Sequence, residues 1–361
     1  MTRNLLVSLL GWIAPCAIVA QPSAIRIGPS PAAYVEGSYF ESPLDGWAFG
    51  EHIFRTVDGG ASWSRVGRPP GRAIVSRLAI AAGRAYCLSN GALYSSSRSR
   101  IAWVRLRTPL DPPKGQLTGV HAAGDRVVVS GGVYRRVPRG HDGPANAISV
   151  RGEQWFELAA RVLAFNPREL LWEDRSDGLE GNRTTGIVAT PDDSMLALVD
   201  EDVFRYEPST RRWRRGTRGN RCPDVQEDRP GALRANELPS VVALSAPASA
   251  VLLLSTRNGR LFRSRDDGES WCPVTHSGQG NKGWLADIDM VSESEGTALG
   301  SPPGVLLFTL DGGRSWRTKV TEGLVRSVSH TGPGTAVVIT ERDVLSLEWQ
   351  RRAGEPAPEP K

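Results

Sequence analysis

Short apolar runs separated by small polar turns recur along the whole of this chain. Leu78-Ala79-Ile80 is followed by Ala85-Tyr86-Cys87-Leu88, and Val241-Val242-Ala243-Leu244 by Val251-Leu252-Leu253-Leu254. Further on, Ile288-Asp289-Met290 precedes Thr297-Ala298-Leu299-Gly300, and Val325 to Val328 precedes Ala336-Val337-Val338-Ile339. Runs this short, rich in β-branched residues and bounded by Gly, Asp, Asn and Ser, read as paired strands. Long helical periodicity is absent. Only Glu169-Leu170-Leu171-Trp172-Glu173-Asp174, inside an insertion, reads as a single helical turn. The pattern predicts an all-β chain.

Between the strand pairs stands an octapeptide with one rule, Ser/Thr-x-Asp-x-Gly-x-x-Trp. The copies run from Thr56 through Asp58 and Gly60 to Trp63, from Ser264 through Asp266 and Gly268 to Trp271, and from Thr309 through Asp311 and Gly313 to Trp316. Each follows a strand signal, such as His52-Ile53-Phe54-Arg55 or Val305-Leu306-Leu307-Phe308, and leads into another, so each predicts a β-hairpin. The residue types have physical reasons. The Asp carboxylate accepts backbone N–H groups of its own turn and the hydroxyl adds another contact. Gly supplies positive φ, and Trp lays an apolar ring on the hairpin. Decayed copies lead to Trp103, Trp155, Trp213 and Trp349. The seven tryptophans at 63, 103, 155, 213, 271, 316 and 349 stand 40, 52, 58, 58, 45 and 33 residues apart. That interval suits a four-stranded sheet repeated around a ring. Seven such sheets are predicted, with six or eight open because the decayed copies are ambiguous.

These octapeptides resemble the Asp-box, or BNR, repeat of sialidase-like β-propellers. A single ring without a recognisable catalytic set is most similar to the photosystem II assembly factor-like exported propellers. The resemblance implies one propeller over residues 25–350 and structural roles for Asp58, Asp266 and Asp311. It also implies a binding or assembly role, though a fold hosts many functions. The sialidase pattern is poorly matched: Arg26-Ile27-Gly28 lacks the proline of that family's opening motif. The tyrosines, at 34, 39, 86, 94, 134 and 206, all precede the last three repeats, where its nucleophile belongs.

Length and composition refine this picture. A chain of 361 residues would suit two ordinary domains, but one ring absorbs it. Arg3 followed by the apolar stretch Leu5 to Ala20 reads as a signal peptide over residues 1–24, which implies a periplasmic or secreted location. Lipid attachment at Cys16 is the minor alternative, since Pro15 fits a lipoprotein motif poorly. The stretch is too short and interrupted for a membrane span, so none is expected after cleavage. Residues 351–361 read as a disordered Pro/Glu-rich tail. Of the remaining cysteines, Cys222 and Cys272 each lie beyond a repeat-closing Trp and are the expected disulfide, leaving Cys87 as a buried thiol. Lys and Arg exceed Asp and Glu by only 44 to 39, short of the basic field that nucleic acid requires. No cofactor and no metal site are indicated.

Candidate chemistry is of two kinds. Arg211, Arg212, Arg214 and Arg215 flank Trp213, and such a cluster suits carboxylates, phosphates or an acidic partner surface. With Trp172 and Trp284, which close no repeat, it suggests a surface that holds a protein or glycan partner. The alternative is a glycoside hydrolase with two acids across a cleft about 5–10 Å wide. Its candidates are Asp45, Glu51, Asp287 and Asp289, the last two alternating along one strand. Trp47, entering an inner strand, reads as core.

Overall fold

The computed structural model describes residues 23–349 except 72, 100, 112–114, 137–147, 151–152, 183, 190–192, 201, 217–243, 246–251, 256–260, 266–270, 277–284, 293, 301–304 and 322. Every described element is a strand. After β1 (Ser23–Pro29) comes a sheet of β2 (Val35–Phe40), β3 (Gly46–Gly50), β4 (Ile53–Thr56) and β5 (Ser64–Gly67). The next holds β6 (Val75–Ala81), β7 (Arg84–Ser89), β8 (Ala92–Ser97) and β9 (Val104–Leu106). A five-stranded sheet follows: β10 (Gly115–Ala123), β11 (Arg126–Arg136), β12 (Ile148–Val150), β13 (Glu153–Asn166) and β14 (Leu171–Asp174). The fourth has β15 (Thr184–Ala189), β16 (Met195–Val199), β17 (Asp202–Glu207) and β18 (Arg212–Arg215).

The fifth sheet has eight strands. They are β19 (Leu244–Ser245), β20 (Leu252–Ser255), β21 (Leu261–Ser264), β22 (Cys272–His276), β23 (Leu285–Met290), β24 (Gly296–Gly300), β25 (Val305–Thr309) and β26 (Ser315–Val320). The sixth contains β27 (Val325–Gly332), β28 (Thr335–Thr340) and β29 (Asp343–Glu348), with β1 from the opposite end of the chain as its fourth strand. The leading strands touch in the order β2, β6, β10, β15, β19, β23, β27, and β27 touches β2 again, so the sheets form a closed ring.

The expectation of seven separate four-stranded sheets is therefore corrected to six sheets. Two antiparallel runs, β19–β22 and β23–β26, are fused by parallel pairing of their outer strands, Thr275 with Ser315 and His276 with Trp316. Tryptophan spacing counts hairpins and carries no information about which outer edges hydrogen-bond. The helical turn expected at 169–174 is also corrected: a turn ends at Leu170, and β14 pairs with β13 from Asn166↔Leu171 to Leu163↔Asp174. Leu170 takes a positive φ of 57° at that hairpin tip.

The apolar core lies in the seams between neighbouring sheets. Trp47, Phe49 and Ile53 pack on Val75, Ala85 and Cys87, and Tyr86 and Leu93 pack on Leu117, Val127 and Phe165. Val128 and Val162 meet Ala197, Phe204 and Trp213, while Leu253 and Val274 meet Ile288, Met290 and Trp316. The last two seams join Leu306 to Val338 and Trp349, and Val35, Phe40 and Ala48 to Val337, Ile339 and Val344. Trp47 is fully buried, as its sequence position suggests. Each large side chain closed into such a seam contributes about 1.5–3 kcal/mol relative to exposure.

A polar cluster crosses the seam before the closing sheet. His330 meets the Trp349 ring edge-on at 5.5 Å, and its Nε2 lies 3.1 Å from the Thr297 hydroxyl. Burial holds the His330 pKa down to about 4, against the pull of Glu295. The fold therefore prefers the neutral ring, whereas the unfolded chain takes up a proton below about pH 6.5. Stability is expected to fall as pH drops from 6.5 towards 4, His330 contributing a slope of up to about 1.4 kcal/mol per pH unit. Urea titrations of wild type and His330→Gln across that range check it, and the variant is expected to show a shallower slope.

Candidate functional site

The octapeptides build rigid turns. In the first, the Thr56 hydroxyl donates to Asp58 Oδ1 (2.7 Å) and accepts the Gly60 N–H (2.8 Å). Asp58 also accepts the Ser62 N–H (2.9 Å) and hydroxyl (2.6 Å), and Trp63 Nε1 donates to the Gly60 carbonyl (3.1 Å). The Ser62 hydroxyl, its N–H and the Thr56 hydroxyl hold the Asp58 carboxyl down at about 2. The third octapeptide repeats the pattern through Thr309, Asp311, Gly313 and Ser315. Burial opposes ionisation of Asp311, yet hydrogen bonds from Ser315 and Thr309 keep its carboxyl below the usual range. Each turn is tied to the first turn of its own sheet run, Gly59 N–H to the Leu44 carbonyl (3.0 Å) and Gly312 N–H to that of Ser294 (2.8 Å). Asp58 and Asp311 are thus fully engaged as turn ligands. Asp266 and Gly268 lie outside the described residues, while Ser264 and Trp271 flank them as buried side chains.

The candidate acids do not form one constellation. Asp45 accepts both Nε (3.0 Å) and Nη2 (2.8 Å) of Arg55 and a further bond from Arg98 (2.8 Å). The Arg55 hydrogen bond is the main reason its carboxyl stays below the ordinary range. Arg98 also reaches Glu41 (2.8 Å), whose other oxygen accepts Trp47 Nε1 (3.2 Å), and Arg55 stacks over the Trp47 ring at 5.3 Å. These contacts fasten the second sheet to the first, and an ionised, doubly clamped Asp45 is a poor general acid. Glu51 stands exposed at the opposite end of β3 from Asp45. Asp289 is half-buried near the end of β23 and lies within electrostatic reach of Tyr39. Burial, with Glu41 and Asp289 adding, raises the Tyr39 phenol, which opposes a phenolate nucleophile. The Asp287 side chain lies outside the described residues, although its backbone pairs with Leu299. Among the described residues no three His, Cys, Asp or Glu side chains converge as metal ligands.

The arginine cluster lies at β18 and the turn before it, and β18 is the outer edge of its sheet. Trp213 turns inward, donating Nε1 to the Arg175 carbonyl (2.5 Å) and packing on Tyr206. The guanidiniums stay in solvent with acidic neighbours: Arg211 with Glu173, Arg212 with Asp177 (2.9 Å), Arg214 with Glu207 (3.0 Å), and Arg215 with Glu180 and Asp202 (3.4 Å each). All four side chains are at least half exposed, so these pairs are weak and exchangeable. Trp172 is half-buried, stacked on Phe165 at 4.7 Å with Nε1 donating to the Arg107 carbonyl (3.1 Å). It packs one sheet on another, while Trp284 lies outside the described residues.

Cys87 is a buried free thiol whose pKa burial pushes up. Cys272 is held in a disulfide, and Cys222 lies outside the described residues. No described helix is long and apolar enough to cross a membrane. Sequence reasoning missed the closing strand. Arg26-Ile27-Gly28 belongs to β1, where Arg26 pairs with Asp343 (2.6 Å); the alternation Ile25-Arg26-Ile27 was the available signal.

Among solved structures the chain is similar to YCF48 bound to D1 peptide, with 14% identity, TM-score 0.61, and coverage of 93% of this chain and 97% of that one. YCF48 from Cyanidioschyzon merolae gives 14% identity and TM-score 0.59, covering 90% and 98% of the two chains. A streptogramin B lyase gives 10% identity and TM-score 0.64, covering 91% and 98%. At these identities the likeness establishes the β-propeller fold. No family model and no curated protein matches the chain.

Rigidity of the turns has a direct test. Gly313 sits at φ 78°, and a Cβ there would stand 2.7 Å from Leu253 Cδ2 across the seam. Gly313→Ala is expected to cost about 1–3 kcal/mol, measured by urea unfolding, with the β circular dichroism signature retained.

Proposed function

We propose that this chain is a non-catalytic binding or assembly module that grips an acidic, extended segment of a protein partner along the β18 edge. The observation that carries this reading is the row of exposed guanidiniums of Arg211, Arg212, Arg214 and Arg215 along the outermost strand of its sheet. The carboxylates of an incoming segment exchange with Glu173, Asp177, Glu180 and Glu207 for these guanidiniums, while the Trp213 N–H stays bonded to the Asp177 carbonyl (2.8 Å). The fold likeness to YCF48, one structure of which carries a D1 peptide, supports a peptide-like partner.

The same reading places the protein outside the cytoplasm, exported by the N-terminal apolar segment. Because Ser23 and Ala24 pair with Glu348 and Leu347, we place cleavage after Ala20, which leaves the closing strand whole. We assign Cys222 as the partner of Cys272, a pairing that fits an oxidising compartment. Trp172 and Trp284 extend the proposed surface only as structural support and as an untested anchor, respectively.

A glycoside hydrolase is the second reading, favoured by one observation. Asp287 and Asp289 stand two residues apart on β23, opposite Leu299 and Thr297, a spacing of roughly 7 Å. Against it stand the arginine-clamped Asp45 and the raised Tyr39 phenol.

Capture from a periplasmic extract separates the two. Replacing the four arginines by Ala is expected to weaken capture at least tenfold while the circular dichroism spectrum is retained, and capture by wild type should fall as salt rises. Undiminished capture removes β18 from the account. Turnover of a glycan library that Asp287→Asn or Asp289→Asn abolishes would establish the hydrolase instead.

A further inference from the structure

β18 is the outermost strand of its sheet, yet its outer edge is not bare. Residues 175–181, which follow β14 of the preceding sheet, lie along it. Two anchors hold this segment to β13. At one end the Arg175 N–H donates to the Val162 carbonyl (2.9 Å), and the Ser176 hydroxyl accepts the Val162 N–H (3.0 Å). At the other the Gly181 carbonyl accepts the Ala160 N–H (2.9 Å). Val162 and Ala160 are close along β13, so the chain between the anchors must loop outward. The Leu179 N–H donates to the Ser176 carbonyl (3.0 Å) and closes a turn whose third residue, Gly178, takes a φ of 85°. A Cβ on Gly178 would collide with the Trp213 carbonyl, so the turn lies directly on the β18 backbone. Leu179 packs into the seam that holds Trp213.

The acids of this segment follow the arginines in the same chain order. Glu173 faces Arg211, Asp177 faces Arg212 (2.9 Å) and Glu180 faces Arg215 (3.4 Å). They are not held alike. The other oxygen of Glu173 meets Arg175 (3.0 Å), which is 5% exposed and reaches Asp193 as well. Glu173 therefore belongs to the buried structure, since its loss would leave Arg175 short of a counter-charge. Asp177 and Glu180 are 66% and 75% exposed, and the guanidiniums they face are 62% and 52% exposed. Pairs this exposed are weak. The backbone of the loop is thus fixed, while its two carboxylates can swing into water.

We infer that this loop is a resident competitor for the arginine row. Asp177 and Glu180 occupy Arg212 and Arg215 until carboxylates of a partner segment replace them, and the loop backbone keeps its bond to Trp213. The inference rests on the partner reading and adds the regulation of that site and the spacing of the partner's acids. Carboxylates three residues apart, as in Asp177 and Glu180, match Arg212 and Arg215. A lone carboxylate only exchanges one exposed pair for another. A segment that carries several acids on one chain gains from holding them together, so the resident acids favour multiply acidic partners.

Anisotropy of a fluorescein-labelled octaglutamate peptide at low salt tests this with variants of the full chain whose circular dichroism spectra match wild type. Asp177→Asn/Glu180→Gln is expected to bind about three- to tenfold more tightly than wild type, a gain that disappears at high salt. Neutralising Glu51 and Glu341, exposed acids in turns of the first and closing sheets, changes net charge equally and should leave affinity within about twofold. Replacing Arg211, Arg212, Arg214 and Arg215 by Ala should abolish the gain along with most of the binding. If the arginine variant loses binding but Asp177→Asn/Glu180→Gln matches wild type, the loop is no competitor and the inference falls while the partner reading stands. Equal gains from both neutralised pairs also overturn it, because net charge alone then accounts for them. Undiminished binding after arginine replacement overturns the partner reading and this inference together.

Discussion

The pairing of β1 with β29 is the constraint on which the rest of this protein depends. It joins the two ends of the chain, Ser23 to Glu348 and Pro29 to Asp343, inside one sheet. Without it β29 is an unprotected edge, Val344 loses Ile27 from its seam, and the packing of β27 on β2 is left alone to hold the ends of the ring together. The closing strand also touches the next sheet: a Cβ at Gly28 would meet the Ala61 carbonyl at 2.5 Å. Backbone packing that close leaves no room for a side chain, so closure and the first octapeptide turn are one structure. Loop entropy explains the cost: the ends must meet across some 300 residues before any of these contacts forms.

Given closure, the seams supply stability and the turns supply shape. Aromatic and branched side chains fill the gaps between sheets, with a few buried polar side chains such as Ser130, Thr297 and His330 among them. The Asp-centred turns satisfy their own backbone N–H groups at the disc edge, so the wedges keep a fixed outline. Function is then left to whatever the rigid frame displays, which is why the arginine row on β18 matters more than the fold itself.

Much of this architecture was legible in the sequence. The strand pairs were, because period and turn chemistry are local: Leu78 opposes Cys87 and Val328 opposes Val338, within the runs read as pairs. The ligation of Asp58 and Asp311 was legible for the same reason. Sheet fusion through Thr275 and His276 was not, since it depends on where two outer edges meet in space. Nor was closure by Ile25-Arg26-Ile27, a pairing that spans nearly the full chain. At the candidate site, sequence gave the arginine cluster but not its acidic neighbours, because Glu173, Asp177 and Glu180 arrive from the preceding sheet and the loop that follows it. Asp45 looked available for chemistry until folding brought Arg98 to it from 53 residues away.

Native-state hydrogen exchange on the full chain tests the central claim most directly. A ring closed by its own N-terminal strand should protect the amides of Ala24, Arg26 and their β29 partners to nearly the same degree as those of β28, because they open only when the whole disc opens. Rapid exchange throughout β1 and β29, beside a fully protected β28, would show that the strand lies loosely on the edge and that the ring is held shut by something else.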